Sequence, residues 1–187
     1  MSATVARKLR QFTVREYEQM IAAGVFVERG RVELLGGEII DMAAMGLPHA
    51  DAIVRFDRRL QRQVPDNCDV GVQIPILLDD ESEPEPDLVV YPRRRRTTHP
   101  TPDEILLVVE VSDSTLDYDR NQKFPRYAAA GIPEAWLLDV AAGILERHTE
   151  PYEGRYRHLV TARRGESLAS TTLPDVSFAV DEILIED

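Results

Sequence analysis

Three short apolar runs limit the architecture that this sequence can adopt. They are Leu88–Tyr91, Ile105–Val111 and Ala135–Val140. Short apolar runs without regular polar alternation are typical of strands buried on both faces. The segment 117–130 between the second and third runs is helical in composition and ends at Gly131, a residue that favours the position after a helix. Strand, helix and strand predict a crossover between two parallel strands.

The flanking segments add smaller elements. Thr13 and Glu16 have capping-box spacing at the start of a helix, and Gly36-Gly37 is typical of a tight hairpin turn. Pro75 should confine a β-rich segment to a sheet edge or strand end. We expect a helix, a hairpin, a second helix, the β-rich segment and a C-terminal hairpin at 13–24, 31–42, 48–64, 70–78 and 144–160. The acidic segment 79–85 lacks the spacing of a calcium loop and is expected to be solvated.

The composition excludes several classes of protein. With 22 Lys and Arg against 33 Asp and Glu the net charge is −11, which excludes a histone-like binder. Cys68 is the one cysteine, so intrachain disulfides and cysteine zinc sites are excluded, as suits a reducing cytoplasm. No apolar run resembles a signal peptide or approaches the ~18 residues of a membrane span. We expect a cytoplasmic protein without a membrane partner, with one domain over 1–187 and a flexible extension at 1–12.

Two acidic residues stand next to the apolar runs. Glu110 interrupts one run near its end, and Ser112 points to the same face of that predicted strand. Desolvating a carboxylate there costs several kcal/mol unless a cation or hydrogen bonds compensate, which indicates a metal ligand. A strand-end glutamate exposed to water is the alternative. Asp87 precedes another run, where a turn-forming aspartate is the simpler interpretation if it is taken alone.

Together, these acids predict a site for a hard cation. If the two strands are neighbours, Asp87, Glu110 and the Val111 carbonyl offer oxygen ligands that suit Mg²⁺ or Mn²⁺. Hydrolysis of a phosphodiester also needs a positive group, for which Lys123 on the next helix is the best candidate. A surface lysine paired with Asp119 is the equally weighted alternative.

The sequence around these residues resembles the Uma-type restriction endonuclease family, a branch of the PD-(D/E)XK nuclease superfamily. The resemblance covers nearly the whole chain from about Thr13. It rests on Val32-Glu-Leu-Leu-Gly-Gly-Glu38, Met45-Gly46, His49, Pro86-Asp87, Leu107-Val-Val-Glu-Val-Ser-Asp-Ser-Thr115, Asp119-Arg120, Lys123, Tyr127, Gly131-Ile-Pro-Glu134 and Trp136-Leu-Leu-Asp139. It implies an α/β, restriction-endonuclease-like αβββαβ core with a mixed central sheet flanked by helices, a divalent-metal site and cleavage of DNA.

The resemblance also implies roles for single residues. Asp87 and Glu110 match the acidic members of the motif, whereas Ser112 stands where a lysine is usual. This departure suggests that Lys123 supplies the positive charge from the adjoining helix. Glu33 matches an upstream acidic residue that binds a second ion or orients water, with an exposed hairpin side chain as the alternative.

Other residues are candidates for substrate contact. An imidazole at the start of the second helix could contact phosphate or relay a proton, although such histidines more often cap or pack. The Gln73 amide, before the acidic segment, could hydrogen-bond the site, although an amide on the strand surface is the slightly preferred interpretation. A basic run after the Asp87 strand could bind a phosphate backbone or form a solvated face. These candidates are His49, Gln73, Arg93, Arg94, Arg95 and Arg96.

The leading hypothesis is therefore an Mg²⁺- or Mn²⁺-dependent endonuclease acting on DNA. The alternative is a catalytically inactive nuclease-fold module that binds DNA or a protein partner, and Ser112 in the lysine position favours it. A hydrolase for another phosphoester is a third hypothesis, because fold alone does not fix the substrate. A homodimer is expected if both strands of a duplex are cut.

Overall fold

The computed structural model describes residues 9–184. Its elements in chain order are α1 (Val14–Ala22), β1 (Val32–Leu35), β2 (Glu38–Asp41), α2 (Leu47–Leu60), β3 (Cys68–Val72), β4 (Leu88–Pro92), β5 (Leu107–Ser112), α3 (Leu116–Tyr118), a π-helical turn (Asp119–Lys123), α4 (Phe124–Ala129), β6 (Glu134–Asp139), β7 (Ile144–Tyr152), β8 (Arg155–Arg163), β9 (Ser167–Ala169), β10 (Ser177–Ala179) and α5 (Val180–Ile183).

A six-stranded mixed sheet forms the centre, in the order β3-β4-β5-β6-β7-β8. Strands β5 and β6 are parallel, and the other neighbouring pairs are antiparallel. The predicted parallel pair is confirmed, with the helical connection 116–129 between its strands. The order α2, β3, β4, β5, helical connection, β6 is the αβββαβ core that the resemblance implies.

Helices cover both faces of this sheet. All six residues of β5 are buried, and alternate residues belong to two separate apolar clusters. On one face Phe56 of α2 lies 4.5 Å from Phe178 and 6.0 Å from Trp136, measured between ring centroids. On the other face Phe124 and Tyr127 of α4 pack against the strands. Since side chains alternate along a strand, Glu110 and Ser112 point to the α4 face.

The N-terminal segment forms a small unit beside the main sheet. The Thr13 hydroxyl accepts from the Glu16 N–H, and the Glu16 carboxylate accepts from the Thr13 N–H, so the predicted capping box is confirmed. Strands β1 and β2 pair as predicted around Gly36 and Gly37, both with positive φ. Of the predicted extension, residues 1–8 lie outside the described range, whereas the Phe12 N–H donates to the Gly37 carbonyl at 2.8 Å.

The acidic segment 79–85 is not the solvated loop expected from its composition. The Gly36 N–H donates to the Ser82 hydroxyl at 3.1 Å, and the Glu83 N–H donates to the Leu34 carbonyl at 2.8 Å. Ser82 and Glu83 are buried. The β1–β2 hairpin therefore packs on this segment, and the packing brings Glu33 of β1 towards the central sheet.

Two predicted elements are interrupted. The β-rich segment is a strand only to Val72, because Gln73 adopts φ 49° and turns the chain before Pro75. The helix predicted over 117–130 contains the π-helical turn, in which the Phe124 N–H donates to the Asp119 carbonyl five residues back. Pro125 has no N–H with which to bond residue 121, so a continuous α-helix would lack a bond here.

Within residues 9–184 there is no helix of the length and apolar character that a membrane crossing requires.

Candidate functional site

A cleft of about 630 Å³ opens where the hairpin, the start of α2, the start of β4 and the end of β5 meet the helical connection. Its lining includes the predicted site residues Glu33, His49, Gln73, Asp87, Glu110, Val111 and Lys123. The structure thus brings together residues spread over much of the sequence.

Asp87 lies immediately before β4 and reaches towards the end of β5. Its Oδ2 accepts from the Val111 N–H at 2.8 Å, while Oδ1 lies 3.1 Å from His49 Nε2 and accepts from Gln73 Nε2 at 3.1 Å. Burial raises the pKa of Asp87, but the hydrogen bonds and charge of these neighbours hold it below its ordinary value. Asp87 is consequently a carboxylate at neutral pH.

His49 therefore lines the cleft and contacts Asp87. The hydrogen bond to Asp87 raises the pKa of His49, burial opposes this, and the net shift is upward. Gln73 likewise faces the cleft, where its Oε1 accepts from Arg31 Nη1 at 2.9 Å. The preference for a strand-surface amide was wrong, because the left-handed backbone at Gln73 turns its side chain towards Asp87.

Glu110 on β5 is joined to the helical connection by two partners. Lys123 Nζ lies 3.2 and 3.3 Å from its two carboxylate oxygens, and the Tyr127 hydroxyl donates to Oε1 at 2.5 Å. All three residues are buried. Burial raises the pKa of Glu110 well above its ordinary value against the opposing charge of Lys123, and repulsion from Asp119 and Asp87 adds to the rise.

Lys123 also contacts Glu33 on β1. The distance from Nζ to Glu33 Oε2 is 3.3 Å, and Glu33 also accepts from the Tyr118 hydroxyl at 2.9 Å and from the Glu85 N–H at 3.1 Å. Burial lowers the pKa of Lys123, but Glu110 and Glu33 outweigh it and the net shift is upward. The surface-lysine and exposed-glutamate alternatives are therefore wrong for these two residues.

Ser112, in the usual lysine position, binds a further acid. Its hydroxyl donates to Asp119 Oδ2 at 2.6 Å, and the Thr115 hydroxyl donates to the same oxygen at 2.6 Å. Asp119 is buried, and burial raises its pKa despite these bonds and the charge of Lys123. Ser112 thus holds the first residue of the π-helical turn against the end of β5, while Lys123 is the last residue of that turn.

The cleft carries an excess of negative charge. Four buried carboxyl groups, on Glu33, Asp87, Glu110 and Asp119, face one buried ammonium, on Lys123. Buried acids repel one another strongly where water cannot screen them. A divalent cation would relieve this repulsion.

The residues present fit a site for Mg²⁺ or Mn²⁺ in which the protein supplies few of the ligands. Within residues 9–184 no three His, Cys, Asp or Glu side chains converge as a metal-binding group. Asp87 and Glu110 would supply two oxygens, and the Val111 carbonyl would supply a third. The Val111 N–H points to Asp87, and the carbonyl of the same residue faces the same side of the strand, because both backbone groups of a strand residue face one neighbour. Magnesium commonly keeps several waters beside one or two carboxylates.

The four arginines of the basic run are not at this cleft. They follow the far end of β4, roughly 17 Å from Asp87 at about 3.3 Å per strand residue. Arg93 pairs with Asp69, and both Arg94 and Arg96 pair with Glu104. The structure favours the solvated-face interpretation of Arg93, Arg94, Arg95 and Arg96 over phosphate contact at the cleft, because Asp87 and the arginines flank opposite ends of one strand.

Several cleft residues were not predicted as functional from the sequence. Tyr118 donates to Glu33 and Tyr127 donates to Glu110, and Asp119, considered only as a surface partner of Lys123, accepts from Ser112. The spacing of Asp119, Lys123 and Tyr127 by four residues was the available signal, because it places all three on one helix face. Nothing in the sequence pointed to Arg31, which bonds Gln73 and Glu85.

Comparison with known proteins gives one family and a set of solved structures. The family model described as "Uma2: Putative restriction endonuclease" matches residues 14–181. Five chains of solved structures match, among them the "putative nuclease belonging to DUF820 from Anabaena variabilis ATCC 29413". That chain has a TM-score of 0.64 and 12% identity, over 81% of this chain and 88% of its own. The curated proteins give no match.

The mixed sheet, its flanking helices and the acidic cleft place the protein in the class of nuclease-like α/β folds. At 12% identity the solved structure supports the fold alone. The family match spans most of the sequence. The chain belongs to the Uma2 family.

Proposed function

We propose that this protein is a divalent-metal-dependent endonuclease that hydrolyses phosphodiester bonds in DNA. The observation that carries the proposal is the position of Lys123, buried between Glu110 and Glu33 in a cleft that also contains Asp87. Family membership supports a nuclease, and the acid-rich cleft supports a metal-dependent one.

The residues divide the work by position. Asp87, Glu110 and the Val111 carbonyl would hold Mg²⁺ or Mn²⁺. When bound, such an ion screens the charge of a phosphodiester and lowers the pKa of a water ligand. His49 holds Asp87 in its ionised form and orients it, and Gln73 fixes the same oxygen.

Lys123 would stabilise the negative charge that develops on the phosphate. An ammonium has three donors, and Nζ lies within 3.3 Å of three carboxylate oxygens of Glu110 and Glu33, so a substrate oxygen would share or replace one of these contacts. Glu33 holds the ammonium in place from the hairpin side. Ser112 supports the turn that carries Lys123 and does not replace the lysine charge.

Cleavage of supercoiled plasmid tests this proposal. We expect nicking or linearisation with Mg²⁺ or Mn²⁺, none in EDTA, and at least a hundredfold slower cleavage by E110Q and D87N, since each loses a charged oxygen ligand. The matched control is E150Q, whose carboxylate is exposed and pairs with His158 away from the cleft. Cleavage in EDTA, or wild-type cleavage by E110Q, would overturn the proposal.

Duplex binding and hydrolysis of a small phosphoester, measured beside plasmid cleavage, separate the alternatives. A folded protein that binds duplex DNA but cuts nothing with either metal would be an inactive binding module. A protein that hydrolyses only a small phosphoester would have another substrate. The homodimer belongs to the proposal as the arrangement that presents two clefts to two strands, and sedimentation of the protein with and without duplex tests it.

A further inference from the structure

A cluster of four arginines on α2 and the turn that follows it stands apart from the cleft. Among residues 9–184, Arg55, Arg58, Arg59 and Arg62 line a surface pocket of about 280 Å³. Their spacing of three and four residues places them on one side of the helix, away from the buried residues Ile53, Phe56 and Leu60. We call this side of α2 the arginine face.

The arginine face retains unpaired positive charge. Arg55 pairs with Asp51 and Arg59 pairs with Glu182. Arg58 and Arg62 are exposed, and neither has a hydrogen-bond or ion-pair partner among residues 9–184. In the basic run after β4, by comparison, three of the four arginines, Arg93, Arg94 and Arg96, are paired with acids.

This arrangement has an electrostatic cost for the free protein. Arg55 and Arg59 are like charges four residues apart on α2, a spacing that destabilises a helix slightly, and the exposed Arg62 adds a further like charge just after the helix ends. The helix dipole favours cations in the last turn, which accounts for Arg58 and Arg59 but not for the whole cluster. A polyanion lying across the four side chains would relieve this repulsion.

The arginine face is connected to the cleft by the helix itself. His49, in the first turn of α2, contacts Asp87 in the cleft. At 1.5 Å per residue, Arg55 lies about 9 Å and Arg59 about 15 Å further along the helix axis, and Arg62 follows in the turn after the helix. Since duplex DNA rises about 3.4 Å per base pair, this length corresponds to roughly four base pairs.

We propose that the arginine face binds the sugar-phosphate backbone of duplex DNA beside the segment held in the cleft. The inference rests on the proposed function, because it takes DNA as the substrate. Arg58 and Arg62, together with the ion-paired Arg55 and Arg59, form a local positive surface on a protein whose net charge is −11. Guanidinium groups suit phosphate oxygens because they donate in pairs.

Salt-dependent binding of a fluorescent duplex to the full chain tests the inference. In EDTA, which prevents metal-dependent cleavage, R58Q/R62Q should lower the slope of log affinity against log salt by about 1.8, or 0.9 for each lost phosphate contact. Between 50 and 200 mM salt the wild type should then lose roughly twelvefold more affinity than the variant. R58K/R62K should keep the wild-type slope, because a phosphate contact needs only the charge.

The matched control is R93Q/R94Q, which removes two arginines that are paired with Asp69 and Glu104. It should leave the slope near that of the wild type. An unchanged slope in R58Q/R62Q, an equal loss in R93Q/R94Q, or no binding of duplex by the wild type would each overturn the inference. If the wild type cleaves DNA with metal and R58Q/R62Q keeps the wild-type salt dependence, the arginine-face inference is overturned and the proposed function stands. If R58Q/R62Q lowers the salt dependence as expected but the wild type cleaves no DNA, the proposed function is overturned and the arginine face still binds DNA.

Discussion

The hydroxyl of Tyr127 donates to Oε1 of Glu110 at 2.5 Å, and both residues are buried. The bond joins the face of α4 to the middle of the central sheet. It also favours the ionised form of Glu110, against the burial that raises the pKa of this carboxyl. Tyr127 is therefore a positioning residue for the carboxylate.

We expect Y127F to reduce the free energy of unfolding by about 1–3 kcal/mol, because a buried acceptor loses a partner. The pKa of Glu110 should rise further, so the acidic limb of any cleavage profile should move to higher pH. Urea unfolding and a pH profile measure the two effects. The control is Y156F, which removes a hydroxyl that donates to the Ile132 carbonyl at 2.9 Å away from the cleft. Identical pH profiles for the two variants would contradict this role.

Loss of the buried ammonium should destabilise the fold strongly. K123M leaves Glu33 and Glu110 without their shared cation, and breaking a buried pair typically costs about 3–5 kcal/mol. The double variant E33Q/K123M should recover part of the loss, since one of the two uncompensated charges is gone. R120M, which breaks a half-exposed pair with Glu146, should cost about 1 kcal/mol or less. Equal losses in K123M and R120M by urea unfolding would refute the central position of Lys123.

Metal binding should be visible without any nucleic acid. Because the four cleft acids exceed the one buried ammonium, Mn²⁺ should stabilise the folded protein. At a hundredfold excess over Kd the gain is about 2.7 kcal/mol, which corresponds to a rise in Tm of about 5–10 °C for a chain of this size. E110Q should show little rise, and E150Q should behave as the wild type. If Mn²⁺ leaves the Tm of the wild type unchanged, the metal site is contradicted.

Glu83 should make stability depend on pH. Its side chain is 4% exposed, and Oε2 lacks a hydrogen-bond partner among the described residues. Burial, with repulsion from Glu18 and Glu85, raises its pKa to about 7 from 4.5. Because the folded pKa is raised, its contribution to stability is complete below pH 4.5 and is lost as the pH rises to 7.

We expect the wild type to lose on the order of 1–2 kcal/mol more than E83Q between pH 5 and 8 in urea unfolding. Glutamine keeps the shape of the side chain and cannot ionise. E81Q, in the exposed part of the same segment, should keep the wild-type dependence. If E83Q and the wild type respond alike to pH, Glu83 is not the group responsible.

The central strands of the sheet could be predicted because the composition of each segment alone indicates a buried strand. The apolar runs that became β4, β5 and β6 needed no distant information, and their register places Asp87 before one strand and Glu110 near the end of its neighbour. Lys123 was a candidate from its place on the next helix, and the resemblance then supplied Glu33. Their convergence was predicted in outline, but the direct contact between them was not, because it depends on where the hairpin packs.

The errors have a common physical cause. The sequence indicates a free cationic loop after β4, but Asp69 on the neighbouring strand β3 and Glu104 in the same connection pair with its arginines once the chain is folded. The burial of segment 79–85 depends in the same way on the β1–β2 hairpin. Gln73 reaches Asp87 through a left-handed backbone that no local sequence pattern signals.

The contact between Glu33 and Lys123 has a consequence for protein synthesis. Glu33 belongs to the two-stranded sheet near the N-terminus, and its ammonium partner is translated ninety residues later. A nascent chain on the ribosome can form the hairpin early, yet it has neither the cation nor the strand that completes the pocket. The growing polypeptide therefore cannot complete the pocket until Lys123 has left the ribosome.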